Sequence, residues 1–221
     1  MSIQIEDNNI DDHVDDTIFE CLDLNNPKSF FLFAGAGSGK TRSLVNVLSR
    51  LREAQGHRLH LNAQKIAIIT YTNAACNEIQ HRLGYDHLFS VSTIHSFSWD
   101  LIKSFQQDIK KWLEINLKSE IIELEEQEAK GRSGTKASID RVRKIASKSE
   151  RLENLGKIKK FTYNPNGDNR SRDSLNHAEV IQIIADFLSN KQLMQNILIK
   201  KYPILLIDES QDTNKLLMDA F

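Results

Sequence analysis

The stretch from Phe31 to Thr41 constrains the fold more than any other part of the sequence. It reads Phe-Leu-Phe-Ala-Gly-Ala-Gly-Ser-Gly-Lys-Thr, an apolar run that passes into alternating glycines and ends on Lys-Thr. This order predicts a strand over Phe30–Phe33, a glycine-rich loop and the start of a helix, the three parts of a phosphate-binding loop. The strict pattern has glycine where this chain has Ala34, and a chance glycine-rich turn is the structural alternative.

The residue types in this loop predict how a nucleotide would be held. Glycine lets the backbone turn its N–H groups inward as a cradle for an anion. Lys40 would reach the β- and γ-phosphates, Thr41 would hold Mg²⁺, and the N-terminus of the new helix would face the negative charge. We therefore predict an ATP and Mg²⁺ site at Ala34, Gly35, Ala36, Gly37, Ser38, Gly39, Lys40 and Thr41.

A second apolar run, Tyr202–Ile207, leads directly into Asp208 and Glu209. A buried strand would deliver these carboxylates at its C-terminal end, where parallel sheets place their ligands. We predict that Asp208 holds the metal and that Glu209 polarises the attacking water as general base. The structural alternative is an acidic turn after a core strand.

The order of apolar segments predicts an α/β fold. Short β-branched runs predict buried strands at 65–71 and 88–94, and helical spacing predicts a short helix from Asp15, a helix from the loop to Gly56, and one from Asn73 to about Leu83, before Gly84. Strands that alternate with helices imply a parallel sheet with right-handed crossovers.

From His95 the pattern becomes mostly helical, with one long stretch to about Ala129, a loop at 164–168, and helices at 178–188 and 193–199. The long stretch ends in a Glu-rich segment. A basic block follows, formed by Lys130, Arg132, Lys136, Arg141, Arg143, Lys144, Lys148, Arg151, Lys157, Lys159 and Lys160. A solvated helix face and a surface that contacts a phosphate backbone are both open interpretations of this block.

The remaining composition sets broad limits. The net charge of −1 does not indicate nucleic-acid binding by itself, so any such role must come from local patches. Cys21 and Cys76 lack a pairing or metal-binding pattern and are interpreted as reduced structural thiols. No apolar run reaches the length of a membrane span, and the N-terminus is acidic. We expect a soluble, cytoplasmic protein whose residues 1–14 form a disordered tail.

Four motifs together resemble a known family. They are Ala34–Arg42, Tyr71–Ala75 (Tyr-Thr-Asn-Ala-Ala), Ser92–Phe97 (Ser-Thr-Ile-His-Ser-Phe) and Asp208–Asn214 (Asp-Glu-Ser-Gln-Asp-Thr-Asn). In this order they resemble the N-terminal motor half of UvrD/Rep/PcrA-type superfamily 1 DNA helicases, a group that includes RecB and AddA. The resemblance covers about residues 29–98 and 175–221.

The resemblance implies an activity and further site residues. It implies a RecA-like domain that hydrolyses ATP and tracks along single-stranded DNA, typically 3′ to 5′, in repair, recombination or phage defence, with a nuclease as a possible partner. Arg42 would lie beside the nucleotide, and Gln211 would sense the γ-phosphate. The implied DNA-binding residues are Tyr71, Thr72, Asn73, Thr93 and His95. For Tyr71 a core position, and for His95 a capping or core role, are the structural alternatives.

This chain departs from the family's pattern in three respects. Ala74 and Asn77 stand where Lys and Arg are usual, so phosphate attraction there is weakened. No glutamine lies between Asp11 and Ser29, which puts adenine selectivity in doubt. We also expect the second motor domain, with its transition-state arginine, to be absent from this chain, whose own turnover would then be slow.

The motifs together predict four segments. Residues 1–14 form the tail, 15–98 the first part of a RecA-like ATP-binding core, 99–195 a helical insertion that carries the basic block, and 196–221 the Asp-Glu strand of the core. Three other functions stay open. They are an ATP-dependent switch for a partner nuclease or defence effector, a small P-loop kinase, and a non-catalytic DNA-binding module centred on the basic block.

Overall fold

The computed structural model describes residues 10–32, 40–208 and 215–221. Its contacts divide the chain into two units. Unit 1 comprises Met1–Ile94 and Lys191–Thr213, and unit 2 comprises His95–Asn190 and Asn214–Phe221. Unit 2 therefore interrupts unit 1 in the sequence.

A parallel sheet, three-stranded within the described residues, forms the centre of unit 1. Its strands are β1 (Ile66–Thr70), β2 (Phe89–Thr93) and β3 (Ile204–Ile207), in the order β2-β1-β3. Every residue of β1 is buried, as expected for a parallel strand that is covered on both faces. The predictions of an α/β fold and of a parallel sheet are confirmed.

The described part of unit 1 contains four helices. They are α1 (Ile10–Cys21), α2 (Lys40–Leu61), α3 (Asn73–Arg82) and α8 (Gln192–Lys201). Helix α1 begins five residues before the predicted start, and residues 1–9 of the predicted tail lie outside the described residues. Helix α3 ends just before Gly84, whose φ of +65° suits glycine. The core joins helices α2 and α3 to the sheet through Leu48, Leu51, Leu59, Ile66, Ile68, Ile79, Phe89 and Ile204.

The strand predicted at Phe30–Phe33 is not found in the described residues 30–32. Phe31 is 73% exposed, so this apolar run does not form a buried strand there. Just upstream, the Lys28 backbone N–H donates to the Cys21 carbonyl at 2.9 Å and ties the chain to the end of α1. An apolar run becomes a strand only where a neighbouring strand offers backbone partners, and Phe33 lies outside the described residues.

Helix α2 continues through Gly56, where the sequence predicts its end. Glycine costs about 1 kcal/mol inside a helix relative to alanine. One further turn places Leu59 in the core, where it is fully buried. Because burial of a leucine contributes about 1.5–3 kcal/mol, packing outweighs the local preference.

Unit 2 is built from helices. In the described residues they are α4 (Ile94–Ile102), α5 (Gln106–Lys130), α6 (Lys136–Asn154), α7 (His177–Asn190) and α9 (Lys215–Ala220), with a 3₁₀ turn at Leu155–Lys157. Helices α5 and α6 pack side by side, and α9 packs on α7. The buried side chains include Phe97, Ile109, Leu113, Phe161, Leu175, Val180, Ile183, Ile184 and Phe187.

The long helical stretch predicted from His95 is two helices, α4 and α5, separated at residues 103–105. Phe105 has a ψ of 49° and interrupts the helical path. The Gln106 side chain donates to the Lys103 carbonyl at 2.7 Å and satisfies a group that the break exposes. Apolar spacing alone does not show such a break, because both helices keep their own apolar face.

None of the helices in the described part of the chain is both long and apolar enough to span a membrane.

We predict that Gly56→Ala increases the free energy of unfolding by about 0.5–1 kcal/mol. A Cβ at this helical position would lie 3.5 Å from Leu88 and 3.6 Å from Arg52, which is ordinary contact. Urea denaturation monitored by circular dichroism measures the change.

Gly84→Ala is the matched control, because a Cβ there meets nothing within 4 Å but the backbone φ is +65°. That variant should lose about 1–2 kcal/mol. A Gly56→Ala protein that is less stable than the native chain would contradict the packing described for α2.

Candidate functional site

The carboxyl ends of the three strands lie at one edge of the sheet in unit 1. The strand register pairs Thr70 with Thr93, and Ile69 with Ile207. The Asp208 backbone N–H then donates to the Ile69 carbonyl at 2.8 Å, which continues the ladder one step past β3. The residues that follow β1 and β3 are therefore neighbours at this edge.

Two of the predicted nucleotide-binding residues have described side chains, and both lie where a strand ends or a helix begins. Asp208 follows β3 directly and is half-buried, and Thr41 is half-buried in the first turn of α2. That turn contains no acidic residue, which suits an approaching phosphate. Hydroxyl and carboxylate oxygens are the hard ligands that Mg²⁺ prefers, so these residues fit a Mg²⁺-nucleotide.

Several predicted site residues lie outside the described residues. They are Ala34, Gly35, Ala36, Gly37, Ser38, Gly39, Glu209 and Gln211. Lys40 is the first residue of α2, but its side chain is not described, and Arg42 is exposed two residues later. The roles of all these residues remain predictions.

The turn after β1 presents Tyr71 to solvent. The Thr70 hydroxyl donates to the Thr72 carbonyl at 3.0 Å, and the Thr72 hydroxyl accepts from the Ala75 backbone N–H at 3.2 Å as the N-cap of α3. The Tyr71 side chain is 50% exposed. Capping thus fixes the turn, and the aromatic ring remains available for a contact outside unit 1.

The buried side chain of Cys76 contacts this turn. Its Sγ lies 2.9 Å from the Thr70 hydroxyl oxygen, and burial raises the pKa of the thiol. The Thr70 hydrogen is already directed to the Thr72 carbonyl, so the protonated thiol can donate to the Thr70 oxygen. Cys76 is therefore a structural thiol, as the sequence predicts.

The other predicted DNA-binding residues have different surroundings. Asn73 is exposed at the first position of α3. Thr93, at the end of β2, is only 8% exposed. His95 lies in α4 of unit 2, where its ring centroid is 5.1 Å from that of His177 at an interplanar angle of 76°. His95 is thus part of an aromatic cluster that the sequence did not reveal.

The basic block is partly neutralised inside unit 2. Arg141 pairs with Glu128 at 2.8 Å, Lys148 pairs with Glu120 at 2.6 Å, and Glu128 also accepts from the Ser138 hydroxyl. These hydrogen bonds from Ser138 and Arg141 lower the pKa of Glu128. The Glu-rich end of α5 therefore binds basic residues of α6, which favours the structural interpretation for this part of the block.

Arg151, a third member of the block, binds the start of α7. Its guanidinium contacts both carboxylate oxygens of Glu179, at 2.5 and 3.1 Å, and the Ser174 carbonyl at 3.2 Å. Glu179 is only 7% exposed, so the ion pair is largely buried. The sequence singled out neither Glu179 nor His177, because both lie outside the family motifs.

Comparison with known proteins agrees with the four motifs. A family model described as the UvrD/REP helicase N-terminal domain matches residues 23–221. The chain belongs to this family. The prediction of a UvrD-like superfamily 1 relative is confirmed.

Several curated relatives match this chain. It is 25% identical to the Gabija protein GajB of Bacillus cereus over 90% of this chain and 38% of that protein. It is 36% identical to the ATP-dependent DNA helicase Rep of Escherichia coli over 33% of this chain and 11% of Rep. With an ATP-dependent helicase/nuclease protein of Listeria welshimeri it shares 32% identity over 38% of this chain and 8% of that protein. The chain thus spans less than two-fifths of these relatives' lengths.

We predict that His95 makes stability fall in mild acid. Burial, and then the charge of His177, lower the pKa of His95 from its ordinary 6.5. The unfolded chain therefore binds a proton at higher pH than the folded chain does, so stability is lost as the pH falls below about 6.5. Urea unfolding at neutral and mildly acidic pH measures this loss.

His95→Gln should show a smaller loss of stability between the two pH values than the native chain. His60→Gln is the control, because His60 is exposed on α2. If His95→Gln and the native chain had the same pH dependence, His95 would not be the group responsible.

Proposed function

We propose that this chain is the ATP-binding N-terminal part of an ATP-dependent DNA helicase or translocase. It would couple ATP hydrolysis to 3′-to-5′ movement on single-stranded DNA. Family membership supports this function. The observation that carries it is the shared carboxyl edge of the parallel sheet, where Tyr71 follows β1 and Asp208 follows β3. Because the proposed nucleotide-binding and DNA-binding residues lie at neighbouring strand ends, nucleotide binding at one could alter DNA binding at the other.

In this proposal the nucleotide binds where α2 begins and β3 ends. The loop Ala34–Gly39 and Lys40 would hold the phosphates, while Thr41 and Asp208 would hold Mg²⁺. Bound Mg²⁺ neutralises charge that develops on the phosphate oxygens. Glu209 would orient and deprotonate the attacking water, and Gln211 would respond to the γ-phosphate. Arg42 is exposed in the first turn of α2, where it could reach the nucleotide.

Single-stranded DNA would follow the residues after β1 and β2. Tyr71 would stack on a base, which tolerates any sequence and contributes on the order of 1–3 kcal/mol per base. Thr72 and Asn73 would contact the backbone at the N-terminus of α3, whose dipole favours phosphate. Thr93 and His95 complete the proposed set.

The proposed organisation extends to the rest of the chain. Residues 15–98 and 196–221 would form a RecA-like core, and residues 99–195 a helical insertion. A nuclease partner or domain is supported by the similarity to a helicase/nuclease protein. Cytoplasmic DNA repair, recombination or phage defence would use such a motor.

An ATP-dependent regulatory switch without processive unwinding is the second candidate. Ala74 and Asn77, in the first two turns of α3, supply no cation for DNA phosphates at the motif that follows β1. Assays with the full-length protein on a duplex with a 3′ single-stranded tail separate the two functions. Strand separation supports the helicase, whereas DNA-dependent ATP hydrolysis without separation supports the switch.

We predict that Lys40→Ala abolishes ATP binding, because the phosphates lose their principal cation. In the complete enzyme, Glu209→Gln should bind ATP normally but lose hydrolysis, because the amide cannot accept the proton of water. Fluorescence of a labelled ATP analogue measures binding, and phosphate release measures turnover.

Lys28→Ala is the control for Lys40→Ala, since Lys28 is an exposed lysine upstream of the same loop. It should bind ATP as the native chain does. Near-native hydrolysis by Glu209→Gln would rule out Glu209 as the base.

We predict that Tyr71→Ala weakens binding of single-stranded oligothymidine by about 5- to 100-fold, the equivalent of one stacked base. Tyr71→Phe should retain most of the affinity, because it keeps the ring. Fluorescence anisotropy of a labelled oligonucleotide provides the measurement.

Tyr85→Ala is the matched control, because Tyr85 is also exposed, at 65%. It lies between α3 and β2, before the N-terminal end of β2, whereas Tyr71 follows the C-terminal end of β1. Tyr85→Ala should bind DNA normally. Equal affinities for Tyr71→Ala and the native chain would exclude stacking by Tyr71.

A further inference from the structure

Three rings from separate segments meet inside unit 2. His95 lies in α4, Tyr163 lies in the segment between α6 and α7, and His177 is the first residue of α7. The Tyr163 hydroxyl oxygen is 2.6 Å from Nδ1 of His177. The His177 ring in turn lies 5.1 Å from the His95 ring. Tyr163 therefore contacts His177, and His177 in turn contacts His95.

The direction of the Tyr163–His177 hydrogen bond follows from burial. Tyr163 is 9% exposed, and burial raises its pKa to about 12, so its hydroxyl keeps its proton. A buried hydroxyl needs an acceptor, and within the described residues His177 Nδ1 is the acceptor that it reaches. His177 must then carry its ring proton on Nε2.

Ring contacts fix the orientation of the group. The Tyr163 and His177 rings meet edge to face, with centroids 5.4 Å apart at 86°, and the His177 and His95 rings meet similarly at 76°. Trp99, one turn after His95 on α4, packs 5.8 Å from Tyr163. Edge-to-face contacts restrict ring rotation, so each ring restricts the orientation of its neighbour.

The backbone that carries His177 is also held firmly. The Asn176 side chain accepts from the Glu179 N–H, and the Glu179 carboxylate accepts from the Asn176 N–H, both at 2.9 Å. This reciprocal pair is a capping box for α7. Arg151 then binds the same carboxylate from α6. His177, between the two capping residues, has little freedom to move.

The segment that carries Tyr163 is also held by backbone hydrogen bonds. The preceding residue, Thr162, donates its N–H to the Asp173 carbonyl and accepts from the Leu175 N–H, each at 2.9 Å. Phe161, which adjoins Thr162 in the sequence, and Leu175 are buried. These contacts in the segment between α6 and α7 thus restrain the position of the Tyr163 hydroxyl.

We propose that Tyr163 and His177 are positioning residues for His95, and that they hold its imidazole in one orientation for contact with single-stranded DNA. Tyr163 sets the Nε2–H tautomer of His177, and the His177 ring packs against His95. The inference rests on the proposed function, in which His95 contacts DNA. Neither Tyr163 nor His177 needs to touch the nucleic acid.

Tautomer and DNA affinity test the two parts of this proposal. Long-range ¹H–¹⁵N correlation spectra of the native chain should show His177 as a single Nε2–H tautomer, and Tyr163→Phe should lose that preference. Anisotropy with labelled oligothymidine should show Tyr163→Phe binding about three- to tenfold more weakly, the equivalent of one hydrogen bond. Tyr85→Phe, which alters an exposed tyrosine of unit 1, should match the native chain in both experiments.

A double-mutant cycle separates positioning from general loss of structure. His95→Ala should weaken DNA binding, and adding Tyr163→Phe to it should cause no further loss. An equal loss from Tyr163→Phe in both backgrounds would mean that the tyrosine acts independently of His95, which overturns the proposal. So would a mixture of His177 tautomers in the native chain.

The remaining outcomes distinguish this inference from the proposed function. If His95→Ala weakens DNA binding but Tyr163→Phe does not, positioning is overturned and the DNA role of His95 stands. If His95→Ala leaves the affinity unchanged, both the positioning role and the DNA role of His95 are overturned. The ATP-binding part of the proposed function is unaffected by either result.

Discussion

The parallel pairing of β1 with both of its neighbours determines the arrangement of unit 1. Because β2 and β3 run in the same direction as β1, all three strands end at one edge of the sheet. Parallel neighbours also require long crossovers. The connection from β2 to β3 contains most of unit 2 as well as α8, and the added cost of closing a longer connection grows only slowly with its length. A large helical segment can therefore interrupt the sheet without loss of the pairing.

The same pairing explains which strands were predictable. The runs that form β1 and β3 are short and apolar; β1 is buried throughout between its two neighbours, and β3 pairs with β1. The run at Phe30 has a similar composition, yet residues 30–32 form no strand. Strand formation depends on a partner that is remote in sequence, so composition cannot decide it. Gly56 illustrates the reverse case, in which burial of Leu59 extends a helix past a residue that usually ends one.

Residues of the candidate site that belong to sequence motifs could be predicted, and residues outside the motifs could not. Tyr71 and Asp208 follow strands that the sequence identifies, so their place at one edge could be predicted. The cluster of His95, Tyr163 and His177 joins residues far apart in the chain and matches no motif. The α5–α6 ion pairs had a usable signal, however. Glu120 and Lys148 are about equally far from the turn that joins the helices, as an antiparallel pair of helices requires.

The ion pair between Arg151 and Glu179 illustrates how such remote contacts specify a structure more than they stabilise it. A largely buried carboxylate loses hydration, and the attraction of its partner offsets this loss only with good geometry and additional hydrogen bonds. Glu179 has both, since it also accepts from the Asn176 N–H. The net gain in stability is therefore small, but any other register of α6 against α7 would leave the charge buried without a partner. That penalty fixes the first turn of α7, and with it the position of His177.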